Sequence, residues 1–121
     1  MISKEDIKQH LFSTLKDGNF LWSYDYTKMK ADDLSDAFLI ELVLLHLDLE
    51  DLNLLFSIYP KKQIKEIWKW KMCALEPRYH SSNVFFAKIY FDIKNADLYI
   101  KKQSLRAIKA NLGYGWNTTK N

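Results

Sequence analysis

Residues 37–47 constrain the fold of this chain more than any other segment. Apart from Glu41 and His46, every residue in this run is aliphatic or aromatic. A helix that is apolar on every face is buried by its neighbours. We therefore predict a central helix at about 34–47, whose aliphatic side chains contribute on the order of 10 kcal/mol before entropy is subtracted. The run is shorter than the roughly 20 apolar residues of a membrane span, so we predict a soluble, cytoplasmic protein with no membrane partner.

The scarcity of turn residues indicates the fold class. The 121 residues include only 3 Gly and 2 Pro, whereas sandwiches and barrels need many turns built from these residues. None of the glycines forms a phosphate-binding loop, and a single cysteine, Cys73, excludes an internal disulfide. We predict one all-α domain, 1–121, with five or six helices around the central helix and a frayed tail at 114–121.

Capping residues predict where the first helices begin and end. Ser3 and Asp6 resemble a capping box, and Gly18 is a suitable stop, which predicts a helix at about 4–16. Asp48 is a good N-cap for a helix that runs to Tyr59.

The remaining helices follow from spacing and composition. Pro60 suits the first position of a helix over 60–75. Residues 84–93 have a composition that also suits a strand, but no second run could pair with it, so we predict a helix there. The last helix is predicted at about 96–112, and the face expected to be buried consists of Leu98, Leu105, Ile108 and Leu112.

Sequence patterns that carry chemistry are scarce. The potential metal ligands His10, His46, His80 and Cys73 are not spaced as metal sites require. No nucleophile motif accompanies the serines or the cysteine, and we read His46 and Cys73 as core residues. We therefore predict no catalytic residue, no cofactor and no metal. A pocket that placed His46 or His80 beside a carboxylate would favour an enzyme instead.

The charge is distributed unevenly between the two halves. Residues 1–56 hold five lysines and eleven acids, a net −6, whereas residues 57–121 hold thirteen basic and four acidic residues, a net +9. Such asymmetry indicates either a basic surface for a partner or two halves that neutralise each other. Trp70 points away from the apolar arc of its helix, so either another helix of this protein covers it or it is an interface residue. The expected binding residues are Lys61, Lys62, Lys65, Lys69, Trp70, Lys102, Arg106 and Lys109.

The helices at about 49–75 also suggest an alternative function. Two helices joined at Tyr59 and Pro60 form a helix-turn-helix-like pair, which could place the second helix in a major groove. Lysines on that helix would contact phosphates, but Gln63 is its only residue suited to reading bases. The alternative is therefore a DNA-binding protein that uses Lys61, Lys62, Lys65 and Lys69.

Five short blocks resemble a known family. They are residues 20–25 (FLWSYD), 40–44 (IELVL), 47–52 (LDLEDL), 55–59 (LFSIY) and 64–67 (IKEI). The blocks resemble small uncharacterised bacterial proteins that are often encoded beside nucleotidyltransferase-type toxins of abortive-infection systems. This chain departs from the family pattern at His46-Leu47 and at Pro60, where the family tends to have glycine. The resemblance implies a compact helical domain without catalytic residues and an antitoxin-like role. It also implies that Trp22 and Tyr24 are structural.

The preferred prediction is therefore a non-catalytic helical protein that docks another macromolecule through a basic helical face. The expected partner is a protein, with a nucleotidyltransferase-type toxin as the first candidate and nucleic acid as the alternative.

Overall fold

The computed structural model describes residues 3–18 and 34–111. Within these ranges every regular element is helical, which confirms the all-α prediction. The aromatic segment at 20–26, the acidic residues Asp32 and Asp33, and the tail at 114–121 lie outside the described residues. In the described ranges, no helix combines the length and the apolarity that crossing a bilayer requires.

The helices fall into two compact units, Met1–Ile64 and Lys65–Asn121. We number the α-helices and the π-helical segments separately, and one 3₁₀ turn spans Cys73–Leu75. The α-helices are α1 (Lys4–Asp17), α2 (Asp36–His46), α3 (Leu49–Ile58), α4 (Lys61–Ile67), α5 (His80–Phe85) and α6 (Ala96–Asn111); the π-helical segments are π1 (Trp68–Met72) and π2 (Phe86–Tyr90).

In the first unit, α1, α2 and α3 pack against one another. Ser3 and Asp6 form the predicted capping box, and Gly18 caps the other end of α1. The α2 helix begins at its N-cap Ser35, whose hydroxyl accepts a hydrogen bond from a backbone amide. From residue 38 to 47 no side chain of α2 is fully exposed, so the predicted enclosed helix is confirmed. Its buried residues are Leu39, Ile40, Leu42, Val43 and Leu44.

A buried tyrosine joins the beginning of α2 to the end of α3. The Tyr59 hydroxyl donates to Asp36 Oδ1 over 2.6 Å, and Lys8 Nζ lies 3.5 Å from the same oxygen. The hydrogen bond from Tyr59 lowers the pKa of Asp36, and Lys8 acts in the same direction. Burial raises the pKa of Tyr59, and its bond to the carboxylate adds to that shift.

The predicted helix over 60–75, most of which lies in the second unit, changes its hydrogen-bond pattern twice. It is α-helical to Ile67, π-helical over π1 and 3₁₀ over Cys73–Leu75. Two buried amides accompany this change. Asn83 Nδ2 donates to the carbonyl of Met72 over 3.3 Å, and Gln103 Nε2 donates to the carbonyl of Lys69 over 3.4 Å. Side chains that bond to backbone groups in this way are a known cause of departures from the α-helix.

The change in helical phase alters which residues enter the core. Trp68, Met72 and Cys73 are fully buried, whereas Leu75, predicted on the apolar arc, is 37% exposed. The Cys73 prediction is confirmed, and burial raises the pKa of its thiol to about 12. Residues 80–90 are helical as α5 and π2, so the helix expected at 84–93 is present but ends at Tyr90.

The predicted core face of α6 was wrong. Leu98, Leu105 and Ile108 are 46%, 51% and 38% exposed, and Leu112 lies outside the described residues. The buried residues of α6 are Ala96, Ile100, Gln103, Ser104 and Ala107. Small side chains let α6 approach π1 closely, and Gln103 completes the contact by its bond to the carbonyl of Lys69. The larger aliphatic residues are left on the opposite side.

Candidate docking surface and adjacent cavity

The predicted basic residues divide between the two units. Lys61 and Lys62 belong to the first unit and are exposed in the first turn of α4. The second unit contains Lys65, Lys69, Trp70, Lys102, Arg106 and Lys109.

Two of these lysines already have partners inside the second unit. Lys69 Nζ lies 2.9 Å from Glu66 Oε2, and Lys65 Nζ lies 5.7 Å from the centroid of the Tyr99 ring. The Tyr99 ring also stacks on Trp68 at a centroid distance of 5.9 Å and an interplanar angle of 4°. Lys65 therefore already has an aromatic partner, which reduces its freedom to contact another molecule.

The basic residues of α6 differ from Lys65 and Lys69 because they have no ion-pair or aromatic partner among the described residues. Lys102, Arg106 and Lys109 are exposed, and none of them forms an ion pair with any residue that the structure describes. Their spacing places them within an arc of about 60° on the helix. The arc borders Tyr99, so the cation of Lys65 lies close to the same side of α6.

An exposed aliphatic stripe lies beside these cations, and sequence reasoning missed it. Leu98, Leu105 and Ile108 occupy an arc of about 80° next to the basic arc. We call the two arcs together the α6 face. The sequence analysis predicted that these same three residues would be buried. That prediction failed because the size and hydrophobicity of side chains do not show which side of a helix a neighbouring element covers. Trp70, at 39% exposure, is a further exposed aromatic residue in this unit.

A second feature of this unit is a polar network that begins in the core. Trp68 Nε1 donates to Asn83 Oδ1 over 3.0 Å, and Asn83 Nδ2 donates to Glu76 Oε2 over 2.6 Å. The other oxygen of Glu76 lies 2.7 Å from Nδ1 of His80. His80 Nε2 in turn lies 3.2 Å from Asp97 Oδ1 in the first turn of α6. The hydrogen bond to Glu76, reinforced by Asp97, raises the pKa of His80.

A cavity of about 230 Å³ adjoins the outer end of this network. Glu76, His80, Asp97, Lys101 and Ser104 contribute its polar lining. The structure therefore brings His80 beside a carboxylate in a concave site, which was the observation named above as favouring an enzyme. The printed partners of the His80 ring are the carboxylates of Glu76 and Asp97, and no hydroxyl or thiol is hydrogen-bonded to it among the described residues.

The other histidines considered from the sequence do not line this cavity. His46 is half-buried, and burial lowers its pKa. His10 Nε2 lies 3.4 Å from Asp51 within the first unit. The described residues contain no group of three or more His, Cys, Asp or Glu that could hold a metal.

The helix-turn-helix-like pair has a short second helix. Tyr59 and Pro60 separate α3 from α4, as predicted, but α4 has only 7 residues before π1 begins. A recognition helix lies along the groove over several α-helical turns, and here the α-helical part ends at Ile67.

Comparisons with protein-family models, with curated proteins and with solved structures gave no match to this chain.

Proposed function

We propose that this chain is a non-catalytic binding protein that docks an acidic protein partner through the α6 face. The proposal depends on one observation. Three exposed aliphatic side chains, Leu98, Leu105 and Ile108, lie beside three exposed cations that have no ion-pair partner among the described residues.

The aliphatic arc favours a protein over nucleic acid. Phosphates neutralise lysines, but a DNA backbone offers little apolar surface to cover Leu98 and Leu105. Interfaces between proteins have an apolar centre and a polar rim. Clusters of exposed aliphatic residues rimmed by charge are typical of such sites. The α6 face has this arrangement along one helix of 16 residues.

Charge supports an acidic partner. Lys102, Arg106 and Lys109 present positive charge and form no ion pair with the described residues, so an acidic surface would be attracted at long range and oriented on contact. Lys65 and Lys69 contribute positive potential but already have partners. Trp70, which is partly exposed on π1, is a candidate anchor for the same partner.

The family resemblance adds a specific partner to this proposal. A nucleotidyltransferase-type toxin encoded beside this chain would make it an antitoxin-like protein, and its acidic surface would bind the α6 face.

The test measures binding of the full chain to the purified products of the genes that flank its own. In K102Q/R106Q, affinity should fall about tenfold or more, because two interface cations are lost at about 1 kcal/mol each. K88Q/K94Q is a matched control, since it removes the same charge from exposed positions outside α6. The control variant should bind like the parent.

Two results would overturn the proposal. One is that no flanking gene product binds. The other is that only duplex DNA binds, with steep salt dependence and with loss of binding in K61Q/K62Q. That second result would establish the helix-turn-helix-like alternative.

A further inference from the structure

Both ring nitrogens of His80 face a carboxylate, and the two carboxylates come from different elements. Nδ1 lies 2.7 Å from Glu76 Oε1, directly after the 3₁₀ turn, and Nε2 lies 3.2 Å from Asp97 Oδ1 in the first turn of α6. An ionised carboxylate only accepts hydrogen bonds, so each nitrogen must carry a proton to bond to its partner. A neutral imidazole has one N–H and an imidazolium has two. The observed arrangement is therefore complete only when His80 is protonated.

The two carboxylates are held in different ways. The Glu76 side chain is 13% exposed, and its second oxygen accepts a 2.6 Å hydrogen bond from the buried amide of Asn83. The Asp97 side chain is 81% exposed, and its only partner among the described residues is His80. Water can therefore replace His80 as the partner of Asp97, whereas Glu76 is fixed in place.

The other charged groups around His80 do not offset these carboxylates. Lys101 of α6 lines the same cavity, and the guanidinium of Arg78 lies 5.6 Å from the ring centroid of the tyrosine that follows it. The pKa of His80 is nevertheless raised, first by the hydrogen bond to Glu76 and then by Asp97. The two carboxylates therefore dominate the titration of this ring.

We propose that His80 is a proton-dependent latch between α5 and the first turn of α6. In its protonated form it bonds to Glu76 and Asp97 together and ties the two helices. When it loses a proton, the remaining N–H stays on Nδ1 for Glu76, and the lone pair of Nε2 faces the Asp97 carboxylate. Two acceptors 3.2 Å apart repel each other, so Asp97 turns into solvent and the latch opens.

The effect of opening is confined to the beginning of α6. Ala96 and Ile100 are buried, and Gln103 bonds to a backbone carbonyl of π1, so the body of the helix stays in place. The lost link is the one that holds the first turn against α5 beside the cavity, and this turn should open more often without it. The latch is closed below the pKa of His80 in the folded protein and opens as pH rises through that value.

The first test follows the His80 ring by NMR in the full chain with ¹⁵N-labelled histidine, titrated from below to above its pKa. We expect the neutral ring to carry its proton on Nδ1, whereas the neutral ring of a free histidine carries it mostly on Nε2. A proton on Nε2 in the neutral form would overturn the proposal, because Asp97 would then be the partner that is kept. His10 and His46 lie in the other unit and serve as internal references.

The second test compares the pKa of His80 in three variants. It should fall in D97N and fall further in E76Q, since Glu76 is the stronger partner. D92N is the matched control, because it removes the same charge from an exposed position that does not line the cavity. The backbone there has a φ of 53°, which asparagine tolerates. D92N should titrate like the parent, and a D97N variant that does so would overturn the proposal.

The third test measures opening of the first turn by hydrogen exchange at the amides of Tyr99 and Ile100, expressed as protection factors. In the parent, protection should fall about twofold to fivefold as pH rises through the pKa of His80, as expected for loss of an exposed ion pair. In D97N the side-chain amide can either donate to the ring or accept from it, so protection should not change over this range. Constant protection in the parent, or an equal fall in D97N, would overturn the proposal.

The latch does not depend on the docking proposal. None of the three measurements uses a partner, and the ring pKa and the protection factors should be the same in K102Q/R106Q as in the parent. Failure of the docking proposal would therefore leave the latch intact, and failure of the latch would leave the docking proposal intact.

Discussion

Asn83 is the residue whose replacement tests the packing of the second unit most sharply. It is fully buried in α5 and bonds twice to π1, at Trp68 and at the Met72 carbonyl, and once to Glu76. Asn83→Leu keeps the number and branching of the side-chain heavy atoms but removes all three bonds. The Trp68 N–H would be left without an acceptor in a fully buried site, at a cost of about 1–3 kcal/mol.

Loss of the hydrogen bond from Asn83 to Glu76 adds to this cost in stability. The 2.6 Å bond from Asn83 is charge-assisted, and such bonds contribute about 1.5–3 kcal/mol. The bond to the Met72 carbonyl is longer, at 3.3 Å, and weaker. We expect Asn83→Leu to lower the free energy of unfolding by about 3–5 kcal/mol, a large part of the stability of a typical domain.

The assay is urea unfolding of the full chain followed by circular dichroism. Ile100→Val is the matched control, since it removes one buried methylene and should cost about 1 kcal/mol. Combining Asn83→Leu with Trp68→Phe removes donor and acceptor together, so the double variant should be more stable than the sum of the single variants predicts by about 1–2 kcal/mol. If Asn83→Leu unfolds within about 0.5 kcal/mol of the parent, the network does not stabilise the unit and the reasoning is wrong.

Three further variants test other parts of the account. Tyr59→Phe should destabilise the first unit by about 1 kcal/mol at neutral pH. Tyr59 lowers the pKa of Asp36 in the folded protein. Its contribution to stability is therefore present above the pKa that Asp36 has in the unfolded chain, and it is lost as pH falls through the pKa of Asp36 in the folded protein. Acid titration of stability should therefore show a smaller difference between variant and parent below about pH 4, and an unchanged difference would contradict the assignment. His80 has a raised pKa, so its stabilising ion pairs are present below the unfolded pKa and lost as pH rises through the folded value. His80→Gln should abolish this dependence above about pH 6.5, and a pH profile of stability identical to that of the parent would exclude these ion pairs. Ala107→Leu should cost about 1–3 kcal/mol by overpacking the contact between α6 and π1, and a neutral effect in urea unfolding would mean that this face is not packed.

Local signals in the sequence predicted much of the fold. The Ser3–Asp6 capping box and the apolar run of α2 depend on residues close in sequence, and both were read correctly. Helical phase placed Trp70 off the apolar arc but left open whether another helix covers it, and in the structure it is 39% exposed.

The features missed by the sequence analysis depend on contacts between distant residues. The π1 segment is accompanied by bonds from Asn83 and Gln103, which lie 11 and 34 residues away from their partners. The buried face of α6 is set by the close approach of π1, so small residues were buried where larger aliphatic residues had been expected. His80 meets Asp97 only because α5 and α6 are neighbours, and no motif in the sequence indicates that pair.

The central claim is that the aliphatic arc of α6 faces solvent and is free to bind. Its most direct test is the rate at which a maleimide labels Leu105→Cys in the folded chain, compared with Ala107→Cys. The native Cys73 is fully buried with its pKa raised to about 12, so it should not react with the maleimide until the protein unfolds. The account predicts rapid labelling at position 105, as for a free thiol, and strong protection at position 107. Protection at position 105 would show that the arc is covered, and the proposed docking surface would then be wrong.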